Sequence, residues 1–170
     1  ILYLIYFPMP IMLVIYLYRQ KQWKAIEVSL IALFICYYGA FITYFFVPVL
    51  GPRFYLAAEH TVPLKGLLLS EPIRQTINFF EPTKMDCFPS LHTAILIVTV
   101  MLCYRYHKGM YYWFSTLGVG ILISLVYLRY HYVADVLIGI IWAVASTLLG
   151  YWLHDRFHRR YVPQFQQEKQ

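Results

Sequence analysis

Charged residues are scarce in this chain of 170 residues: 13% are Asp, Glu, Lys or Arg, whereas 61% are hydrophobic. Soluble domains carry about 25% charged residues, so the composition excludes an ordinary soluble domain. Cysteine is scarce as well, and two of the three cysteines, Cys36 and Cys103, lie inside apolar runs. A secreted scaffold held together by disulfides is therefore excluded too. The composition that remains is that of a membrane protein.

The apolar residues are gathered into runs. A bilayer core about 30 Å thick requires roughly 20 apolar residues per helix. These runs predict an all-α integral-membrane bundle with five transmembrane helices, a single membrane-embedded domain over 1–155 and a basic tail over 156–170. Because the chain starts inside an apolar run without an initiator methionine, we also expect an N-terminal piece to be missing. The five predicted segments are A (1–18), B (28–52), C (90–104), D (109–128) and E (132–154).

The segment between B and C, residues 53–89, is polar and mixes charges of both signs. Within it, the stretch SEPIRQTINFFE has a helix start, since Ser70 can cap and Pro72 suits the first turn. Its apolar side chains recur on one face. We expect a short interfacial helix here, lying on the bundle at the membrane surface.

Basic residues mark one side of the predicted bundle. They occur in the A–B loop RQKQWK, in the C–D turn RYHKG and in the tail. Short basic loops stay in the cytoplasm, so these segments and the C-terminus are predicted to be cytoplasmic. Residues 53–89 and the D–E turn then lie on the opposite, non-cytoplasmic face. Since the basic residues are explained as topology signals, we expect no nucleic-acid site.

Three ionisable residues stand together at the start of segment E, in the stretch YLRYHYVAD. His131 and Asp135 are four residues apart and therefore stack on one face of a helix. A carboxylate beside an imidazole fixes its tautomer and raises its basicity, which makes the far ring nitrogen a nucleophile or a base. Arg129 adds a positive charge two residues before the histidine.

A second histidine lies at the start of segment C, in the stretch CFPSLHTAILIV. Ser90 is a natural N-cap, and the free N–H groups of such a helix end bind phosphate readily. His92 stands in the first turn. Both junctions are predicted on the non-cytoplasmic face, so His92, His131, Asp135 and Arg129 can converge there. A single histidine or tyrosine near a membrane surface is usually only interfacial, but ionisable residues gathered at a bundle indicate function.

Three interpretations of this cluster are open from the residues. The first is phosphoryl transfer through a histidine nucleophile, and the second is a metal site with His92, His131 and Asp135 as ligands. The nearby arginine favours the first, because a guanidinium suits a phosphate and is repelled by a divalent metal. The third is a non-catalytic transporter or scaffold, which has no need for such ionisable groups.

The two stretches together resemble a known family. FPSLH followed by HYVAD is similar to the second and third motifs of the type-2 phosphatidic acid phosphatases, which share their core with the vanadium haloperoxidases. The resemblance implies a helical bundle, commonly of six helices. That is one helix more than the five predicted from the apolar runs of this chain. It also implies removal or transfer of a lipid-linked phosphate without metal or cofactor. By position, His131 would be the nucleophile, Asp135 its orienting partner, His92 the acid and Ser90 a phosphate contact.

The chain departs from the family pattern at three places. Leu91 replaces the glycine of P-S-G-H, as in the subgroup of inositol phosphorylceramide synthases, which makes a head-group phosphotransferase an alternative. Leu125 stands where the third motif has its arginine. Arg129, four residues later and so one helical turn along the same face, is expected to reach the same phosphate. The first motif, K-x6-R-P, is absent, and Arg53 and Lys84 are the cations that we expect in its place.

These observations lead to one expectation. We expect a membrane phosphatase that acts on a phosphate ester or diphosphate of a lipid, through a phosphohistidine, at the non-cytoplasmic face. Its expected partners are the phosphorylated lipid and the bilayer.

Overall fold

The computed structural model describes residues 2–58, 72, 75 and 85–167, and the regular structure in these ranges is helical. Strands are absent from these residues, where a single isolated bridge joins Val49 and Asp86. The predicted all-α class is confirmed. The helices are α1 (Leu2–Ile5), α2 (Pro8–Arg19), α3 (Trp23–Phe46), α4 (Pro52–Tyr55), α5 (Leu91–Tyr106), α6 (Lys108–Tyr127) and α7 (Val133–Gln167).

Three of these helices are long and apolar enough to cross a bilayer: α3, α6 and the part of α7 from Val133 to His158. The chain is therefore an integral membrane protein. Helix α5 is apolar but has 16 residues, and segment A is divided into α1 and α2, of 4 and 12 residues. The division comes immediately before Pro8, which has no N–H to continue the preceding helix. Length alone thus supports three spans among the described residues.

Three predicted boundaries differ clearly from the structure. Segment B was expected to begin at residue 28, whereas α3 begins at Trp23. Segment B was expected to reach residue 52, but α3 ends at Phe46 because Val47 precedes Pro48 and is displaced from helical geometry. Segment E was expected to end at residue 154, yet α7 continues to Gln167 through most of the basic tail. The predicted interfacial helix over 70–81 lies outside the described residues, apart from positions 72 and 75.

Helix α5 lies at the centre of the bundle and packs against α2, α3, α6 and α7. Helix α7 also packs along α3, and the two run antiparallel, since Gly39 meets Trp142 while Ala32 meets Gly150. Small residues at these contacts let the backbones approach, as in other membrane bundles. The central position of α5 places its first turn against the first turn of α7.

Glycine at position 139 makes that last contact possible. A Cβ at Gly139 would lie 2.7 Å from the carbonyl oxygen of Ser90 and 3.0 Å from Cβ of Thr93. The backbone N–H of Ser90 in turn donates to the carbonyl of Asp135 at 3.1 Å. The two loop–helix junctions are thereby held against each other.

Candidate active site

The two predicted histidines meet where α5 and α7 begin. Nδ1 of His92 lies 3.1 Å from Nε2 of His131, and the two rings are edge-to-face with centroids 5.2 Å apart. His131 is buried, whereas His92 is partly exposed and its ring also contacts Tyr6. The structure therefore brings the two histidines together.

The hydrogen-bond partner of Nδ1 defines the tautomer of His131. Nδ1 of His131 lies 3.1 Å from the backbone carbonyl oxygen of Cys87. A carbonyl only accepts hydrogen bonds, so this contact assigns the proton to Nδ1 and leaves a lone pair on Nε2, which accepts from His92. Burial lowers the pKa of His131 and outweighs the nearby Asp135, which raises it. The imidazole is therefore held neutral, with its basic nitrogen facing His92.

Asp135 lies beside His131 but is not its closest hydrogen-bond partner. Its Oδ2 is 3.8 Å from Nδ1 of His131, and it accepts instead from Sγ of Cys87 at 2.9 Å and from the backbone N–H of Tyr132 at 2.8 Å. Asp135 is the third residue of α7, and Tyr132 immediately precedes that helix. By accepting from the N–H of Tyr132, Asp135 caps the start of its own helix. Asp135 thus fixes the start of α7 and acts on the histidine by its charge and through Cys87.

Cys87 is the site residue that sequence reasoning missed. It is buried, its carbonyl accepts from His131, and its thiol donates to Asp135. Burial raises the pKa of the Cys87 thiol, and the hydrogen bond to Asp135 raises it further, so the sulfur keeps its proton. The sole signal in the sequence was its place three residues before Ser90. Tyr44 on α3 donates to the carbonyl of Pro89 at 2.9 Å and so anchors this loop.

Ser90 is the N-cap of α5, as predicted. Its Oγ accepts from the backbone N–H of Thr93 at 3.3 Å and lies 3.0 Å from the Thr93 hydroxyl. The side chain is completely buried. Ser90 therefore shapes the helix end that carries His92.

Arg129 occupies the position that ends helix α6. Its φ is +63°, in the left-handed region. The N–H of Arg129 donates to the carbonyl of Val126, and the N–H of Tyr130 donates to the carbonyl of Leu125. These two bonds, with Tyr130 packed on Leu125, form a Schellman motif whose left-handed residue is usually glycine. The expectation that Leu125 and Arg129 share a helix face is wrong, because the helix ends at Tyr127 and Leu125 is completely buried.

Arg53 lies next to Arg129. The backbone N–H of Arg53 donates to the carbonyl of Arg129 at 3.0 Å, and its guanidinium stacks 4.6 Å from the ring centroids of both Phe54 and Tyr130. Two of the predicted cations are thus brought to the turn that precedes His131. Lys84 lies outside the described residues.

The predicted metal ligands are only partly grouped. Among the described residues, Cys87, His131 and Asp135 have potential ligand atoms within 4.8 Å of one another, and all three are buried. His92, expected in that set, is not part of this group. The three residues satisfy one another by hydrogen bonds.

The fold and this cluster define a helical integral-membrane protein with a buried, neutral histidine paired to a second histidine. A family model of the PAP2 superfamily matches residues 1–149, and the chain belongs to that superfamily. Membership supports an enzyme with phosphatase-like activity on phosphate esters. Neither the curated proteins nor the solved structures gave a match to this chain.

Gly139→Ala tests whether helix packing sets the distance between the histidines. We expect at least a tenfold loss of phosphatase activity, because the new Cβ meets the backbone oxygen of Ser90 at 2.7 Å and the helix starts must separate. Gly118→Ala is the mild control, since the atoms nearest to its Cβ would be side-chain atoms of Leu96 at 3.5 Å or more. The measurement is the initial rate of phosphate release.

Gly150→Ala controls for loss of packing in general. Its Cβ would lie 2.8 Å from Cβ of Ala32, a comparable clash far along α7 from the histidines. Equal losses of activity in the Gly139 and Gly150 variants would contradict a local role for Gly139.

Proposed function

We propose that this chain is a metal-independent membrane phosphatase that hydrolyses a phosphate ester or diphosphate of a lipid through a phosphohistidine. The observation that carries the proposal is the pair of contacts at His131. Its Nδ1–H is held by the Cys87 carbonyl, so that Nε2 is a fixed, unprotonated nucleophile. His92, 3.1 Å from Nε2, is a proton donor placed beside it.

The reaction then takes two displacements. Nε2 of His131 attacks phosphorus, the bond from phosphorus to the lipid oxygen breaks, and His92 gives its Nδ1 proton to that oxygen. His92 next takes a proton from water, which attacks the phosphohistidine, releases inorganic phosphate and restores His131. Because the two imidazoles are 3.1 Å apart, the substrate has to part them, and His92 moves from Nε2 to the leaving oxygen.

Positive groups hold the phosphate in this proposal. Arg129 and Arg53 flank the turn before His131, and Lys84 is the third cation that we assign to phosphate binding. Together with the N–H groups at the start of α5, they stabilise the charge on the equatorial oxygens in the transition state. Ser90 is buried as the N-cap, so it contributes by fixing that helix end.

Metal independence is supported by the state of the neighbouring thiol. Cys87 would have to lose its proton to serve as a ligand, and burial together with Asp135 opposes this. The same thiol and the Tyr132 N–H already engage Oδ2 of Asp135. These groups are better suited to hold the imidazole than to bind an ion.

The proposed substrate is a phosphorylated lipid. Large apolar side chains are exposed on the membrane-spanning helices, so the bilayer surrounds the bundle and is the source from which such a substrate would arrive. Phosphate release should be measured from purified protein with phosphatidic acid, a polyprenyl diphosphate, phosphatidylglycerol phosphate and a sphingoid phosphate. We expect at least one lipid to be cleaved far faster than a soluble phosphate ester. No cleavage of any lipid would contradict the lipid assignment.

The alternative is a head-group phosphotransferase, as in the inositol phosphorylceramide synthases. It is favoured by Leu91, a half-buried leucine that packs on the core between Ser90 and His92. In that reaction an alcohol replaces water in the second displacement. Thin-layer analysis of products with and without an added alcohol acceptor distinguishes the two, since only a transferase forms a new phosphodiester.

We further propose that segments A to E all traverse the membrane, with the site on the non-cytoplasmic face and the C-terminus in the cytoplasm. The three native cysteines are buried, so a single introduced cysteine can be labelled selectively. Gln20→Cys in the exposed turn between α2 and α3 should resist an impermeant maleimide in intact cells. Ala57→Cys, exposed beyond α4, should react. The reverse pattern would put the site in the cytoplasm.

A further inference from the structure

A second cluster of ionisable side chains lies at the far end of α7. His154 and His158 are one helical turn apart, and their rings are stacked with centroids 5.3 Å apart. Glu27, near the start of α3, places Oε2 3.1 Å from Nε2 of His154. The potential ligand atoms of these three residues all lie within 4.8 Å of one another.

This cluster is separate from the site at His131. Along α7, His154 lies 19 positions after Asp135, which at 1.5 Å per residue is about 29 Å. That distance is close to the thickness of the apolar core of a bilayer. The two clusters therefore lie at opposite faces of the membrane, and the proposed phosphatase chemistry makes no use of this one.

The residue types and their geometry suit a transition metal. Two histidines four residues apart on one helix, with a carboxylate from a second element, are a ligand set typical of zinc. Zinc ligands lie about 2.1 Å from the ion, so neighbouring ligand atoms in a tetrahedral site are roughly 3.4 Å apart. Glu27 and His154 already meet at 3.1 Å, and Glu27, which is exposed, can move to close the remaining gap.

The surroundings of His154 provide an independent observation. Its ring is buried, yet Nδ1 has no hydrogen-bond partner among the described residues. Oδ1 of Asp155 lies 3.6 Å from this nitrogen. Histidines that bind a metal through one nitrogen usually direct the other N–H to a carboxylate, which fixes the tautomer. Asp155 is placed for that role once Nε2 binds an ion.

We propose that Glu27, His154 and His158 form a binding site for a zinc-class divalent ion that joins the start of α3 to α7. A simpler interpretation is an ion pair between Glu27 and His154 that fastens the two helices. The ion pair has no need of His158, whereas the metal site does, and this difference decides between them.

The experiment is a zinc titration of the purified chain in detergent after removal of bound metal with a chelator. Calorimetry gives the affinity, and Co²⁺ absorption spectra report on the ligands. We expect His158→Ala and Glu27→Gln each to weaken zinc binding by at least about 100-fold, since even the loss of a carboxylate behind a ligand costs 10- to 100-fold. Zinc should raise the unfolding temperature of the wild type and not of His158→Ala.

Two matched variants separate this site from the other histidines. His107→Asn removes a histidine but keeps an acceptor for the N–H of Met110, and it should bind zinc as the wild type does. His131→Ala removes the cluster at the other membrane face and should also leave this binding intact. Zinc binding that survives His158→Ala but is lost in His131→Ala would overturn the proposal, as would the absence of zinc binding.

Discussion

His131→Ala should abolish turnover, while the wild-type enzyme should keep its full rate in excess EDTA. The first result is expected because no other described group replaces the nucleophile, and the second because a phosphohistidine route needs no cation. We also expect inhibition by vanadate, which adopts the five-coordinate shape of the phosphoryl transition state. A brief pulse of radiolabelled substrate followed by rapid quenching should trap an acid-labile phosphoenzyme in the wild type and none in the variant.

His92→Ala is the matched control for this experiment. It removes the proton donor 3.1 Å from Nε2 and leaves the nucleophile in place. Its remaining activity should be highest with a nitrophenyl phosphate, whose leaving group needs no proton. Loss of activity in EDTA, with recovery on adding zinc, would contradict the mechanism if it persists in His158→Ala, which lacks the other proposed zinc site. That result would make Cys87, His131 and Asp135 the ligands of a catalytic ion.

Arg129→Gly should lower turnover by about 100-fold or more while leaving the protein at least as stable. The guanidinium is one of the groups proposed to hold the phosphate, and loss of one such donor costs on that order. The backbone at this position, with φ of +63°, favours glycine, whereas a residue with a Cβ is strained there by roughly 1 kcal/mol. Phosphate release and thermal unfolding measure the two effects separately.

Arg129→Ala separates the side chain from the backbone. It should lose the same activity as Arg129→Gly, because both lack the guanidinium, and be less stable, because alanine keeps the strained Cβ. Leu125→Arg should not restore activity in either background, since position 125 is completely buried under Tyr130. Near-normal turnover of Arg129→Ala would assign the phosphate to Arg53 or Lys84.

The arginine illustrates why the tertiary structure was needed. Sequence spacing placed Arg129 one helical turn after Leu125, on the assumption that helix α6 continues. The capping bonds of Tyr130 and Arg129 end the helix earlier, and the backbone then carries Arg129 to Arg53. A glycine at position 129 would have predicted the end of the helix from the sequence, whereas an arginine gives no such signal.

The sequence by itself determined the membrane class, the helical fold, the family motifs and the two histidines. Each depends on local composition or spacing: apolar runs long enough for helices, and residues one turn apart near a helix start. The tertiary structure alone decided the partners of those histidines. His131 takes its tautomer from the Cys87 carbonyl, 44 positions away in the sequence, and Asp135 accepts the Cys87 thiol. Such contacts arise from how α5 packs on α7 at Gly139, and no local pattern encodes a distance between segments that far apart.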